Sequence, residues 1–297
     1  MRTEGDTWDI VSSVGMTALG VAAARAIETK RPDALVHDEY AAQFVVASGD
    51  SDTNRLINDP TLWAQIPFTS GFIGYRSRFF DEFFLSAAAA EVSQAVILAA
   101  GLDARAYRLD WPAGEVVFEV DQPKVLEFKC QVLTESGAVP RSDRREVAVD
   151  LRADWPAALV EAGFDPSLPT AWSAEGLLPY LPGAAQDALF ARIDQLSAFG
   201  SRVAVETVGK GVDISRIAQE ESQYLTDTPF AKVDLASLFY TDERADPAEL
   251  LATHGWTTSS LRLQELAERY DRPMAAVAEP LTQMLDSTRY LTAVKPS

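Results

Sequence analysis

The sequence predicts an α/β fold: a mostly parallel seven-stranded sheet with helices on both faces, preceded by an N-terminal helical extension. Three observations carry that expectation. After residue 94, short apolar strand-like runs alternate with helical patterns, and such a βαβα rhythm builds a parallel sheet covered by helices. Before it, apolar residues recur mainly at helical spacing. Near the C-terminus a helical pattern precedes two strand-like runs, which suits a sheet ending in a hairpin. The expected division is therefore a helical extension or lid at 1–93, packed on a core at 94–297, with an insertion near 210–232.

Taken in order, Val14, Ala18, Leu19, Ala22, Ala23 and Ala26 mark a first helix, closed by Pro32. Asp38 can cap the next, through Tyr40, Phe44 and Val45; Ser48–Asn58 reads as a loop. A further helix covers Tyr75–Glu91 and carries Phe79, Phe80, Phe83 and Phe84. Strands are expected at Ala95–Ala100, Val116–Val120, Glu146–Asp150, Thr170–Ser173, Arg202–Thr207, Thr257–Leu263 and Arg289–Val294. The helices between them fall at about Gln122–Ser136, Trp155–Ala162, Gly183–Phe199 and Pro247–His254.

Composition narrows the chemistry. The 297 residues are 47% hydrophobic, enough for a sizeable core. No apolar run reaches the ~18 residues that span a bilayer, and Val14–Ile27 is broken by Thr17 and Arg25. The start, MRTEGDTWD, lacks a signal peptide's basic beginning and cleavage site, so a cytoplasmic location is expected. Forty-four acids against 26 Lys and Arg give a net charge of −18, which disfavours nucleic acid and anionic membrane as partners. Cys130, His37 and His254 are the whole cysteine and histidine inventory. Three-histidine zinc sites and three-cysteine clusters are excluded, and no metal is assigned.

The candidate site residues stand at strand ends. AVILAAGLDARAYRLD places the small residues Ala99, Ala100 and Gly101, then Asp103, after the first strand, where a ligand of a doubly wound sheet sits. EVVFEVD ends at Asp121, an acid positioned to accept hydrogen bonds from ribose hydroxyls, or to cap the helix that starts at Gln122 or Pro123. REVAVDLR ends at Asp150 and Leu151, suited to an adenine amine and ring, or again to a helix cap. Glu175, in WSAEGLLPYLP, is a carboxylate in an apolar context that needs a ligand, a cation, backbone amides or a helix arginine. Arg76 and Arg78, in YRSRFF, are either a solvated helix start or carboxylate clamps.

Together these motifs resemble the leucine carboxyl methyltransferase-like family, most closely its actinobacterial branch of S-adenosyl-L-methionine-dependent methyltransferases. The resemblance runs through HDEYAAQFV, YRSRFFDEF, AAGLDARAYRL, FEVDQPKVLEFK, VAVDLR and AEGLLPYL. It implies a Rossmann-like methyltransferase fold and S-adenosyl-L-methionine as cofactor. It assigns Asp121 to the ribose, Asp150 and Leu151 to the adenine side, and Glu175 to a place near the cofactor. Arg78 is assigned to the cofactor carboxylate, with Arg76 as its less secure alternative. Where the family often shows G-x-G-x-D, this chain has Ala99 in place of the first glycine and keeps Gly101 and Asp103.

The leading functional expectation is O-methyl transfer, with a carboxylate among the acceptors considered, to a small-molecule or peptide-carboxylate acceptor. Such an acceptor needs no general base, only a cation, and Arg76 is the arginine left if Arg78 holds the cofactor. An amine or phenol acceptor would make Tyr180 or Glu175 the base candidates. Phe68, Phe72, Tyr75, Tyr180 and Tyr224 are candidate wall residues of the acceptor pocket. The alternatives are an NAD-dependent oxidoreductase, which also uses an acid after the second strand but lacks its third glycine here, and a non-catalytic nucleoside-binding protein.

Overall fold

The computed structural model describes residues 13–63, 71–209, 212–221, 234–274 and 281–296. Five helices come first: α1 (Ser13–Thr29), α2 (Ala41–Ala47), α3 (Ser51–Asn58), α4 (Pro60–Trp63) and α5 (Phe72–Ala89). The sheet then alternates with helices: β1 (Gln94–Leu98), α6 (Arg105–Arg108), β2 (Val116–Asp121), α7 (Pro123–Glu135), β3 (Asp143–Ala148), α8 (Trp155–Glu161), β4 (Thr170–Ala174), α9 (Gly183–Gln195) and β5 (Arg202–Val208). After α10 (Ile214–Glu221) and α11 (Pro247–Thr253) come β6 (Thr257–Arg262), α12 (Leu263–Arg269), α13 (Leu281–Ser287) and β7 (Thr288–Val294).

The strands form one sheet in the order β3-β2-β1-β4-β5-β7-β6. β1 to β5 pair in parallel, and β7 runs antiparallel between β5 and β6. The two late strands do pair, but α12 and α13 lie between them in the chain, so no tight hairpin joins them.

Both faces of the sheet are apolar, as a covered parallel sheet requires. On one face Ala95, Ile97 and Val117 pack with Leu19, Phe44, Phe80 and Phe84 of the N-terminal helices. On the other, Val96, Leu98, Phe118 and Val120 pack with Leu159, Phe190, Ile193 and Leu251 from α8, α9 and α11. The N-terminal helices thus pack on the sheet itself.

Several boundaries differ from the sequence expectation, among them these three. Ser48–Asn58 is largely helical, because Asp50 accepts from the Thr53 amide at 2.8 Å and Leu56 and Ile57 become buried. β3 starts at Asp143 and ends at Ala148. The Val149 amide still makes the last ladder bond, to the Asp121 carbonyl at 2.9 Å, and Asp150 lies past the strand. The helix from Gly183 stops at Gln195, four residues before Phe199.

Candidate active site

Strand register builds the site. Val120, Leu98, Ala174 and Val205 lie side by side across β2, β1, β4 and β5, with Val147 of β3 beside Val120. All five are apolar and buried. One residue further along, the row reads Ala148, Asp121, Ala99, Glu175 and Glu206. The sheet therefore changes from apolar to acidic within one residue, at the carboxyl ends of its parallel strands, where open α/β sheets bind ligands.

A cavity of about 360 Å³ opens at this edge. Arg76, Ala99, Gly101, Asp103, Asp121, Asp150, Leu151, Glu175 and Tyr180 line it, so most of the sequence-selected residues meet there. The turn after β1 is left-handed at both Ala99 (φ 52°) and Gly101 (φ 49°). This geometry suits glycine and is unusual for alanine. The Gly101 amide donates to Asp121 Oδ2 at 2.6 Å, while Oδ1 accepts from the Gln122 amide at 2.6 Å. Burial raises the Asp121 carboxyl and these two amides oppose it. The helix-cap readings do not hold for either acid. α7 has Gln122 at its cap position with no side-chain cap bond, and α8 is capped by Asp154. Asp150 instead holds Arg152 through its guanidinium, at 2.6 Å, and through its amide, at 2.8 Å.

The two arginines of YRSRFF part company. Positions two apart on a helix point to nearly opposite faces. Arg76 shares the cavity face with Phe72 and Ile73. Arg78 is turned outward, its side chain 49% exposed and paired with Glu82 at 2.8 Å. The placement of Arg78 at the cofactor carboxylate is therefore corrected: Arg76 is the arginine at the cavity. Tyr75 is corrected as well. Its ring lies under Arg272 and its hydroxyl donates to the Arg272 carbonyl at 2.7 Å, in the core and off the cavity wall. Phe72 lines the cavity, whereas Phe68, Tyr224 and all of 222–232 lie outside the described residues.

Glu175 is held by two arginines. Arg76 Nε donates to its Oε1 at 2.7 Å and Arg105 Nη1 to its Oε2 at 2.7 Å. Arg105, not selected from the sequence, is the centre of the network: 2% exposed, it also binds Asp81 at 2.7 Å and Asp103. Burial alone would raise the Asp103 carboxyl; Arg105, helped by Lys129 and Arg108, overrides that and brings it down to about 2. Arg76 Nε also lies 3.4 Å from Glu206 Oε2. Gly176 makes room for this arginine. Its φ is +61°, and a Cβ there would come within 2.5 Å of Arg76 Nη2. α1 closes the turn from above, with Arg25 Nη2 bound to the Leu102 carbonyl at 2.6 Å and Nε to Asp38 at 2.8 Å.

Arg105 left one signal in the sequence: a charge flanked directly by two alanines, Ala104 and Ala106. Asp81, set between phenylalanines on both sides, left a similar one.

Comparison with known proteins fits this geometry. A Rhodococcus jostii (strain RHA1) protein named "Putative S-adenosyl-L-methionine-dependent methyltransferase" is 60% identical over 295 residues, covering 99% of this chain and 100% of that one. A Mycobacteroides abscessus protein of the same name is 54% identical, covering 100% and 97%. A crystal structure of a methyltransferase-like protein from Thermobifida fusca superposes with a TM-score of 0.52 at 15% identity, over 92% of this chain and 94% of that one. This likeness shows a Rossmann-like fold shared with that protein. The oxidoreductase alternative finds no support among these relatives. The family model "Leucine carboxyl methyltransferase" matches residues 18–194, and the chain belongs to that family of S-adenosyl-L-methionine-dependent methyltransferases.

Proposed function

We propose that this chain transfers the methyl group of S-adenosyl-L-methionine to an oxygen of its acceptor. The observation that carries the reading is the acidic row at the strand ends, in register across β2, β4 and β5 and open to one cavity. The lining suits the cofactor's chemistry. Its described charged side chains are five carboxylates and three guanidiniums, an excess of negative charge that favours a sulfonium cation. Asp121 holds the ribose hydroxyls through lone pairs left over from its two amide bonds. Asp150 and Leu151 flank the adenine. Arg76 takes the amino-acid carboxylate through its Nη nitrogens, its Nε being committed to Glu175. When bound, the cofactor supplies an already activated methyl group. The protein's part is then to align the acceptor and exclude water.

The described cover over the cavity comes from α1, α5, α10 and α13, through Val21, Phe72, Ile217 and Met284. In this reading the N-terminal helices and α10, in the described part of the 210–232 insertion, act as the lid, the rest of that insertion lying outside the described residues. Proteolysis in the presence of S-adenosylhomocysteine should slow at 210–232, and equal cleavage with and without it would remove the lid.

The cofactor assignment is tested at Asp121. Asp121→Ala should weaken S-adenosylhomocysteine binding by about 1–3 kcal/mol, the scale for hydrogen bonds to a charged group. Calorimetric titration measures it, and unchanged affinity would take the ribose role away from Asp121.

A further inference from the structure

Of the three strand-end carboxylates, Asp121 and Glu175 are absorbed by the cofactor reading. Glu206 is not. It follows Val205 of β5, whose partner in β4 is Ala174, the residue before Glu175; it lines the cavity, and it is 8% exposed. Its bond to Arg76, at 3.4 Å, is looser than that of Glu175, at 2.7 Å. The same cavity wall carries the apolar side chains of Val21, Ile73, Val208, Ile217, Phe239 and Met284.

The cations tell the same story. Among the described residues, Arg25, Arg76 and Arg152 are the lining guanidiniums, and each is ion-paired, with Asp38, with Glu175 and Glu206, and with Asp150. With Arg76 given to the cofactor, no described cation is left to neutralise an acceptor carboxylate. Such a carboxylate would also face the like charges of Glu175 and Glu206. An apolar wall with a few polar groups selects an apolar ligand oriented by one polar function.

We propose that the acceptor is an uncharged, largely apolar molecule bearing a hydroxyl group, and that Glu206 receives the proton of that hydroxyl. This rests on the methyltransferase reading and departs from the carboxylate acceptor that the sequence suggested. The acceptor oxygen forms its bond to the methyl carbon as the methyl–sulfur bond breaks. The sulfur keeps that electron pair, and the hydroxyl proton passes to the Glu206 carboxylate. Burial raises the Glu206 carboxyl, Arg76 opposes and Glu175 reinforces the shift, so it is a better proton acceptor than an exposed carboxylate.

Three probes with one ring system test the acceptor class: 2-naphthol, 2-naphthoate and 2-naphthylmethylammonium, titrated at about pH 7 into protein saturated with S-adenosylhomocysteine. The naphthol should bind at least tenfold more tightly than either charged probe, a difference of about 1.4 kcal/mol. Equal or tighter binding of a charged probe, or no binding of any of the three, overturns the proposal. Failure of S-adenosylhomocysteine itself to bind would instead count against the cofactor reading. Glu206→Gln removes one negative charge at nearly constant shape. It should narrow the preference for naphthol over naphthoate several-fold. It should also lower kcat for methylation of naphthol about 100-fold, the scale of general-base catalysis, with KM little changed. A parent protein that binds naphthol without methylating it, or a Glu206→Gln variant with parental kcat, overturns the proton-transfer role.

Discussion

Two of the buried ionic clusters among the described residues differ in purpose. One centres on Arg105, 2% exposed, with Asp81, Asp103 and Glu175 as its carboxylates. The other centres on Glu119, fully buried, held by Lys129 at 2.8 Å and by Arg144 at 2.7 Å. Sequence distance does not separate them, since Glu119 lies two residues before Asp121 on the same strand. Register does. Glu119 pairs with Ile97 and Glu146 inside the sheet, and its cluster ties α7 and β3 to β2 without lining the cavity. Asp103 and Glu175 stand past the strand ends and do line it. Buried charge alone does not mark a site; here it does so at the carboxyl-end edge of the parallel strands, where it lines the cavity.

The largest test of that contrast removes one cation from each cluster. Arg105→Met leaves three carboxylates short of a partner. It should destabilise the fold by about 3–5 kcal/mol, the scale for breaking a buried ionic network, and should weaken S-adenosylhomocysteine binding. Lys129→Met leaves Glu119 with Arg144. It should cost about 1–3 kcal/mol and leave ligand affinity unchanged. Urea unfolding and calorimetry read both, and an equal loss of affinity would erase the distinction. The acid limb adds a check. Asp103 ionises at about 2 in the folded protein against an ordinary 3.8. Its contribution is therefore complete above about pH 4 and lost as pH falls toward 2. Arg105→Met should flatten that limb.

The same register explains what the sequence could disclose. The central strands were legible because they are short apolar runs bounded by turn residues, whereas the outer strands β3 (DRREVA) and β6 (TTSSLR) are mostly polar. Asp121 and Glu175 were legible because an acid ending such a run is costly without a purpose. Arg76 and Arg78 could not be told apart, because the rotation of α5 decides which faces the cavity, and aromatic residues surround both. Glu206 was hidden by its place in a strand that continues to Val208, so it does not look like an ending. Arg105 was hidden because its partners come from α5, from its own turn and from β4, far apart in sequence.

Glu115 sharpens the contrast from the other side, as a buried carboxyl in neither cluster. Burial alone lifts it from 4.5 to about 7. The folded protein thus keeps this proton up to about pH 7, while the unfolded chain loses it near 4.5. Stability falls between those values and stays lower above them. Glu115→Gln should remove that decline. It should stabilise by about 1–3 kcal/mol at pH 8 and by nearly nothing near pH 4.5. Urea midpoints at the two pH values measure this. A gain of the same size at both would mean that packing, and not ionisation, is responsible.

The smallest effect lies in the turn that carries the Arg105 network into the cavity. Ala99 is held at φ 52°, beside Gly101 at 49°. A left-handed conformation costs an L-residue roughly 1–2 kcal/mol, whereas glycine reaches it freely but loses about 0.5–1 kcal/mol of chain entropy on folding. The two terms nearly cancel. Ala99→Gly should therefore stabilise the protein by about 0.5 kcal/mol, the balance of those costs, and the urea slope should stay unchanged. Ala99 also lines the cavity, so its methyl group contributes contact there as well as strain. If the variant is instead destabilised, the methyl's packing outweighs the strain. The alanine would then be a structural part of the cavity wall, and no longer a tolerated departure from the glycine common in this family.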